Sequence, residues 1–202
     1  MRIPDPYTHP GLVPGFESVT LIDNDPVTTD RMANNQVFEV RTVSQYWGIS
    51  IPFPDMFPQE FFLMDAFIGE YKRKGGFIEI LLPQYETFGV RGDLANAKIP
   101  GNQKGSSITM TIPSLSGLPK VGGLFKLPSH YKVYKITSVT ANGNNLTIGI
   151  YPDLATTTNG SEKPVFNGIL FQTKPLQLET WKSTLTSDGM YESFTLNFEE
   201  SR

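Results

Sequence analysis

The chain has no cysteine and only two histidines, His9 and His130. The first absence excludes disulfides, thiolate catalysis and cysteine metal ligation, and fits assembly in a reducing cytoplasm. The second leaves too few imidazoles for a histidine-rich metal centre, and no metal or other cofactor is expected. Charge is sparse too. Of 202 residues, 18% are charged and 39% hydrophobic, a balance that builds a core and is unlike that of a disordered tail. No apolar run approaches the roughly 20 residues of a membrane helix, so no membrane insertion is expected. The segment MRIPDPYTHPGLVPG lacks the apolar centre that a secretory signal requires.

Enzyme signatures are missing as well. There is no G-x-S-x-G elbow, no G-x-x-x-x-G-K-[ST] loop, no H-E-x-x-H and no G-x-G-x-x-G. The run Gly101-Asn102-Gln103-Lys104-Gly105-Ser106-Ser107 lacks both the Gly-Lys-Ser order of a phosphate loop and a following helix, so it reads as a plain loop. His9 and His130 lie beside Pro and Ser loop signals with no acid–base partner near in sequence, so no catalytic residue is assigned and no enzyme is expected. Asp23, Asp25 and Asp30 lack the mid-loop Gly and closing Glu of a calcium loop, and read as a capped turn. Arg91-Gly92-Asp93, Asn145-Leu146-Thr147 and Asn159-Gly160-Ser161 are short patterns of the kind that arise by chance.

What is present is a set of short β-rich runs punctuated by 18 Gly and 16 Pro, which points to a mainly β fold with few helices. The formal net charge of −3 conceals an asymmetry. Residues 88–164 hold eight basic and three acidic residues, and the rest holds nine basic and seventeen acidic ones. Two parts of opposite sign imply two surfaces with different neighbours.

The stretch Val43–Glu86 organises the chain as strand, turn, helix and strand. Gln45, Trp47, Ile49 and Ile51 alternate. Pro52, Pro54 and Asp55 break the strand, and Pro58 stands where a first helical residue tolerates proline. From Gln59 to Lys72, Phe61, Met64, Ile68 and Tyr71 recur at helical spacing, with Leu63 and Phe67 widening the stripe. Lys72, Arg73 and Lys74 suit the negative end of the helix dipole, and Gly75-Gly76 stops the helix. Phe77–Leu82 then forms a strand ended by Pro83. This Trp-bearing strand, Phe-Pro-Gln-Glu-Phe helix start, basic-Gly-Gly stop and Leu-Leu-Pro-Gln-Tyr strand end resemble the core of a siphophage distal tail protein of the T-five type.

Taken in order, residues 1–15 read as an arm or ordered loop, Phe16–Ile22 as a strand, Val27–Asn35 as polar loop and Val37–Trp47 as a long strand. Beyond Tyr85, five short strands are expected, at Phe88–Ile99, Ser107–Ile112, Gly123–Leu127, Tyr131–Thr140 and Asn145–Tyr151. Asn142-Gly143-Asn144-Asn145 is the hairpin turn of the last pair. Five strands in so short a span fit a small barrel of the OB type. Val165–Phe171, Leu176–Leu185 and Tyr191–Phe198 supply three more strands, with Thr186-Ser187-Asp188-Gly189 as a turn. A lone three-strand meander lacks a covered face, so these strands are expected to return to the first sheet. The expected organisation is a discontinuous β-sandwich core with one α-helix, at 1–87 and 165–202, with an OB-like β-barrel inserted at 88–164. The resemblance extends to Gly117–Leu154 and implies this same arrangement.

The resemblance further implies a structural virion component at the tip of a long non-contractile tail. It implies a homo-hexameric ring joining the tail tube protein to the tip or hub protein, with collar or side-fibre proteins as further neighbours. A strongly acidic core fits such a ring, because DNA moving through the lumen is repelled by carboxylates. The second reading is a carbohydrate- or nucleic-acid-binding module acting through the basic barrel, with a host-surface glycan as ligand; specific nucleic-acid binding is not expected. Its candidate contacts are Arg91, Phe125, Lys126, Tyr131, Lys132, Tyr134 and Lys135, an aromatic and cationic set of the type barrels use. Against it, only alternate strand positions can face a ligand, and Tyr131 and Tyr134 fall on opposite faces, so the aromatics also read as core and the lysines as a solvated rim.

Overall fold

The computed structural model describes all residues except 14, 33, 42–44, 86–88 and 202, and describes residues 28, 40 and 41 by their main chain alone. In chain order the elements are β1 (Thr20–Asn24), β2 (Val27–Arg31), β3 (Val37–Arg41), β4 (Tyr46–Phe53), α1 (Pro58–Lys74) and β5 (Ile78–Leu81). There follow β6 (Ser107–Thr111), β7 (Leu124–Lys126), β8 (Val133–Asn142), β9 (Asn145–Tyr151), β10 (Leu170–Leu176) and β11 (Phe194–Glu200). The fold is mainly β with one helix, and combines a sandwich-type core with a half-barrel.

β4 is an interior strand, beside the central β11, of a five-stranded sheet of order β1-β4-β11-β10-β5. Its alternation sets the core face: Ile49, Ile51 and Phe53 are buried, opposite Phe198, Leu196 and Phe194 of β11. Helix α1 begins with Pro58 at a position whose N–H would have no intrahelical partner, and Glu60 takes the Phe57 N–H at 2.9 Å. It buries Phe61, Met64, Phe67 and Ile68. Gly75, at φ 66°, ends it and donates its N–H to Tyr71 O at 2.7 Å, while Lys74 pairs with Glu70 in the last turn. A run of rings carries the packing from helix to sheet: Phe61 lies parallel to Trp181, Trp181 meets Phe194 edge-on, and Phe194 stacks on Phe53.

The amino-terminal arm is ordered. Arg2 forms a parallel bridge to Glu79, and Ile3 N–H donates to Glu79 O at 3.0 Å. Asp5, fully buried, holds the arm's turn by accepting from the Tyr7 and Thr8 N–H groups and pairing with Arg2 at 2.9 Å.

The chain divides into two compact units, Met1–Glu79 with Thr173–Ser201, and Ile80–Gln172. The second holds a four-stranded antiparallel sheet of order β6-β9-β8-β7. The alternate residues Ile108, Met110, Leu146, Ile148 and Ile150 enclose a core filled by Phe125, Tyr134 and Phe166. Asn142 and Asn145 close the β8–β9 hairpin around Gly143 at φ 57°.

Several boundaries differ from the sequence reading. Val27–Arg31, expected as loop, is a strand, because Val37–Arg41 pairs with it rather than running on into β4. Residues 42–44, which would have joined that longer strand, lie outside the described residues, as do Val43, Glu86 and Phe88 at the ends of expected elements. Residues 89–99 form no strand; isolated bridges Arg91–Gly117 and Lys98–Thr111 replace it, so the sheet has four strands rather than five. The carboxy-terminal region has two strands where three were expected. β10 takes Leu170–Leu176, and the segment 177–193 is irregular apart from bridges at Leu185 and Tyr191. The turn at 186–189 is present, with Thr186 N–H donating to Met190 O at 2.8 Å.

Candidate assembly surface

The seven residues singled out on the barrel do not share one surface. Phe125 and Tyr134 face each other across β7 and β8, fully buried, so neither ring has a face on which a base or sugar could stack. Alternation explains this, since both stand on the inward face that meets Phe166. Lys126 is also buried, and its Nζ donates to Leu170 O at 2.7 Å. Lys132 is half-buried, while Tyr131, Lys135 and Arg91 are exposed. Lys135 stands opposite Leu124 and Tyr151 in the sheet register, and Arg91 is bridged to Gly117. Phe125, Tyr134 and Lys126 are therefore core, and Tyr131, Lys132, Lys135 and Arg91 are spread along the unit.

Exposed apolar area is concentrated elsewhere. Among the described residues, fourteen large hydrophobic side chains are exposed, and eleven of them belong to the unit Met1–Glu79 with Thr173–Ser201. The β2–β3 ribbon carries the clearest group. In its register Val37 opposes Arg31 and Phe38 opposes Asp30, so Val37 and Phe38 point to opposite faces, yet each is more than half exposed. Each face of the ribbon thus carries a half-exposed apolar side chain. A two-stranded ribbon is marginal in water by itself.

A second group surrounds the start of α1. Phe57 and Phe62 are exposed, and Phe62 meets Tyr191 edge-on at 5.8 Å. Tyr191 lies flat on Phe61 at 3.9 Å and bridges both Met56 and Leu185 through its main chain. Trp181 donates Nε1–H to Asp65 at 2.7 Å, which fixes the outer end of the stack.

The unit Ile80–Gln172 contains a buried polar cluster that sequence spacing does not reveal. His130 Nδ1 is 2.8 Å from Tyr134 Oη, and Nε2 faces Glu162 Oε1 at 3.4 Å. Ser129 Oγ donates to the same carboxylate oxygen, and Asn159 N–H reaches Oε2 at 3.1 Å. Burial lowers the proton affinity of His130, outweighing the opposing pull of Glu162. His130 and Glu162 are 32 positions apart in the chain, and no local pattern links them. Among the described residues, no three His, Asp or Glu side chains are placed to hold a metal ion.

Two family models match the chain. That described as distal tail protein pb9, A domain, N-terminal, covers residues 3–85, and that described as distal tail protein pb9, B domain, covers residues 86–169. A curated relative, the distal tail protein pb9 of Escherichia phage T5, is 52% identical over 205 aligned residues, spanning 100% of each chain.

Proposed function

The chain belongs to the pb9 family of phage distal tail proteins, structural components of the virion tail, and from that membership we propose that copies of it close into a hexameric ring joining the tail tube to the tip proteins. The observation that supports this reading is the concentration of exposed apolar residues in one unit, eleven of fourteen among the described residues. A subunit that meets neighbours through one part of its surface must leave that part apolar before assembly, and the β2–β3 ribbon and the start of α1 are such parts. In a closed ring every copy offers the same two complementary surfaces, so the ribbon of one subunit covers, and is covered by, its neighbour.

In this reading residues 1–87 and 165–202 form a discontinuous ring-building core, and residues 88–164 an inserted barrel that takes no part in ring closure. The paucity of exposed hydrophobics there, limited to Leu118, Val121 and Tyr131 among the described residues, supports that division. The protein carries out no catalysis, and its work is positional. Electron microscopy of tails labelled on this protein tests the proposal: a collar of label at the distal end supports it, and label along the shaft or at the head overturns it.

A further inference from the structure

Residues 155–162 cross the unit Ile80–Gln172 without regular structure, as a strap fastened at three points. Ala155 N–H donates to Tyr134 Oη at 3.2 Å. Thr158, itself buried, gives its hydroxyl to Pro100 O at 2.7 Å, and its carbonyl accepts from Asn102 N–H at 2.7 Å. Glu162 closes the strap by accepting from Ser129 and from the strap's own Asn159 N–H. The His130 ring sits between the first and last of these fastenings, touching Tyr134 with Nδ1 and facing Glu162 with Nε2. It is 4% exposed.

We propose that His130 is the acid-sensitive pin of this strap: the uncharged ring, seated between Tyr134 and Glu162, holds residues 155–162 closed, and taking up a proton opens them while the β6–β9 sheet stays folded. Each element packed on the ring contributes one facing group, Glu162 from the strap and Tyr134 from β8, while Ser129 of the ring's own loop holds the Glu162 carboxylate. The neighbouring lysines are engaged elsewhere, Lys163 on Ala97 O at 2.7 Å and Lys126 on Leu170 O at 2.7 Å. With the strap closed, burial holds the ring below the ordinary histidine value of 6.5, and opening restores that value. The open state therefore binds more protons, and closure is complete above that value and weakens as pH falls below it.

Amide hydrogen exchange of the full chain, corrected for intrinsic rates, tests this between roughly pH 7.5 and pH 5.5. Protection at 155–162 is expected to fall by up to about tenfold per pH unit below the ordinary histidine value, as one coupled proton requires, with protection in β8 and β9 unchanged. The His130→Asn variant should show strap protection that does not change with pH. Constant protection in the wild type, or the same slope in the variant, overturns the proposal. Should the variant not fold, nuclear magnetic resonance titration of the His130 ring in the wild type decides: a ring titrating below the ordinary value supports the pin, and one titrating at or above it overturns it.

Discussion

The side-chain amide of Gln103 pairs with both main-chain groups of Thr109, taking the N–H through Oε1 at 2.7 Å and giving Nε2–H to the carbonyl at 2.9 Å. A side chain here stands in for a peptide unit. Next along the strand, Thr111 exchanges N–H and carbonyl with Lys98 at 2.8 Å each way. Together they close the edge of β6, which would otherwise present a row of unpaired groups to any other chain.

Replacing Gln103 by Ala should therefore do two things. Stability should fall by roughly 2–3 kcal/mol, the net worth of the three hydrogen bonds its side chain makes. The opened edge should also let the isolated protein self-associate at high concentration, read as a rise in mass by light scattering. Gln103→Glu should be worse at neutral pH, because a carboxylate oxygen would face the Pro100 and Thr109 carbonyls that Nε2 now serves. Carbonyls beside that carboxylate raise its folded-state pKa, so the penalty should shrink as pH falls into the carboxylate range. An edge that stays monomeric in both variants would mean that the Lys98 bridge suffices.

Two glycines should respond with opposite sign. A Cβ at Gly117 would stand 2.4 Å from Gly89 O and 3.1 Å from Arg91 N, both main-chain atoms that cannot rotate away. Gly117→Ala should cost about 2 kcal/mol or more in urea denaturation, through forced displacement of the Arg91 bridge. Gly69 lies inside α1 with open space where its Cβ would be. Gly69→Ala should stabilise by about 0.5–1 kcal/mol, the helix-propensity difference.

The ring stack gives a graded series. Phe61→Ala removes a buried ring that lies on Tyr191 and parallel to Trp181, and should cost about 3–5 kcal/mol. Trp181→Phe keeps much of the stacking but drops the bond to Asp65, and should cost about 1 kcal/mol by thermal or urea unfolding. Equal losses in the two variants would show that the stack is not what fastens the 177–193 segment to the helix.

Assembly separates from folding in the β2–β3 ribbon. Phe38→Ser changes an exposed side chain, so the free subunit should unfold within about 0.5 kcal/mol of the wild type. Tails complemented with this variant should nevertheless lack the protein at the distal end, by immunolabelling. Normal incorporation would remove the ribbon from the assembly surface.

Much of the fold is legible along the chain because its signals are local. Pro58, the Phe61–Met64–Ile68 spacing and Gly75-Gly76 define α1 with no help from elsewhere, and Asn142–Asn145 defines a hairpin in the same way. The candidate ligand residues were less legible. Phe125 and Tyr134 have the composition of a stacking platform, but which face of β7 and β8 turns inward depends on where Phe166 arrives, and Phe166 is 41 residues beyond Phe125 and 32 beyond Tyr134. The β2–β3 ribbon was missed because its second strand alternates on into Trp47 as though continuous.

By itself, then, the sequence determined the β-rich class, the single helix, the hairpin, and the absence of cysteine chemistry, all of which follow from residue types and spacings within a few turns of chain. Tertiary structure decided the rest. Whether Gln103 serves as loop or as edge closure, whether His130 has a carboxylate beside it, and which apolar residues are left facing water depend on chain segments far apart in sequence. Those pairings are set by packing and by the cost of burying unpartnered polar groups, which no local pattern records.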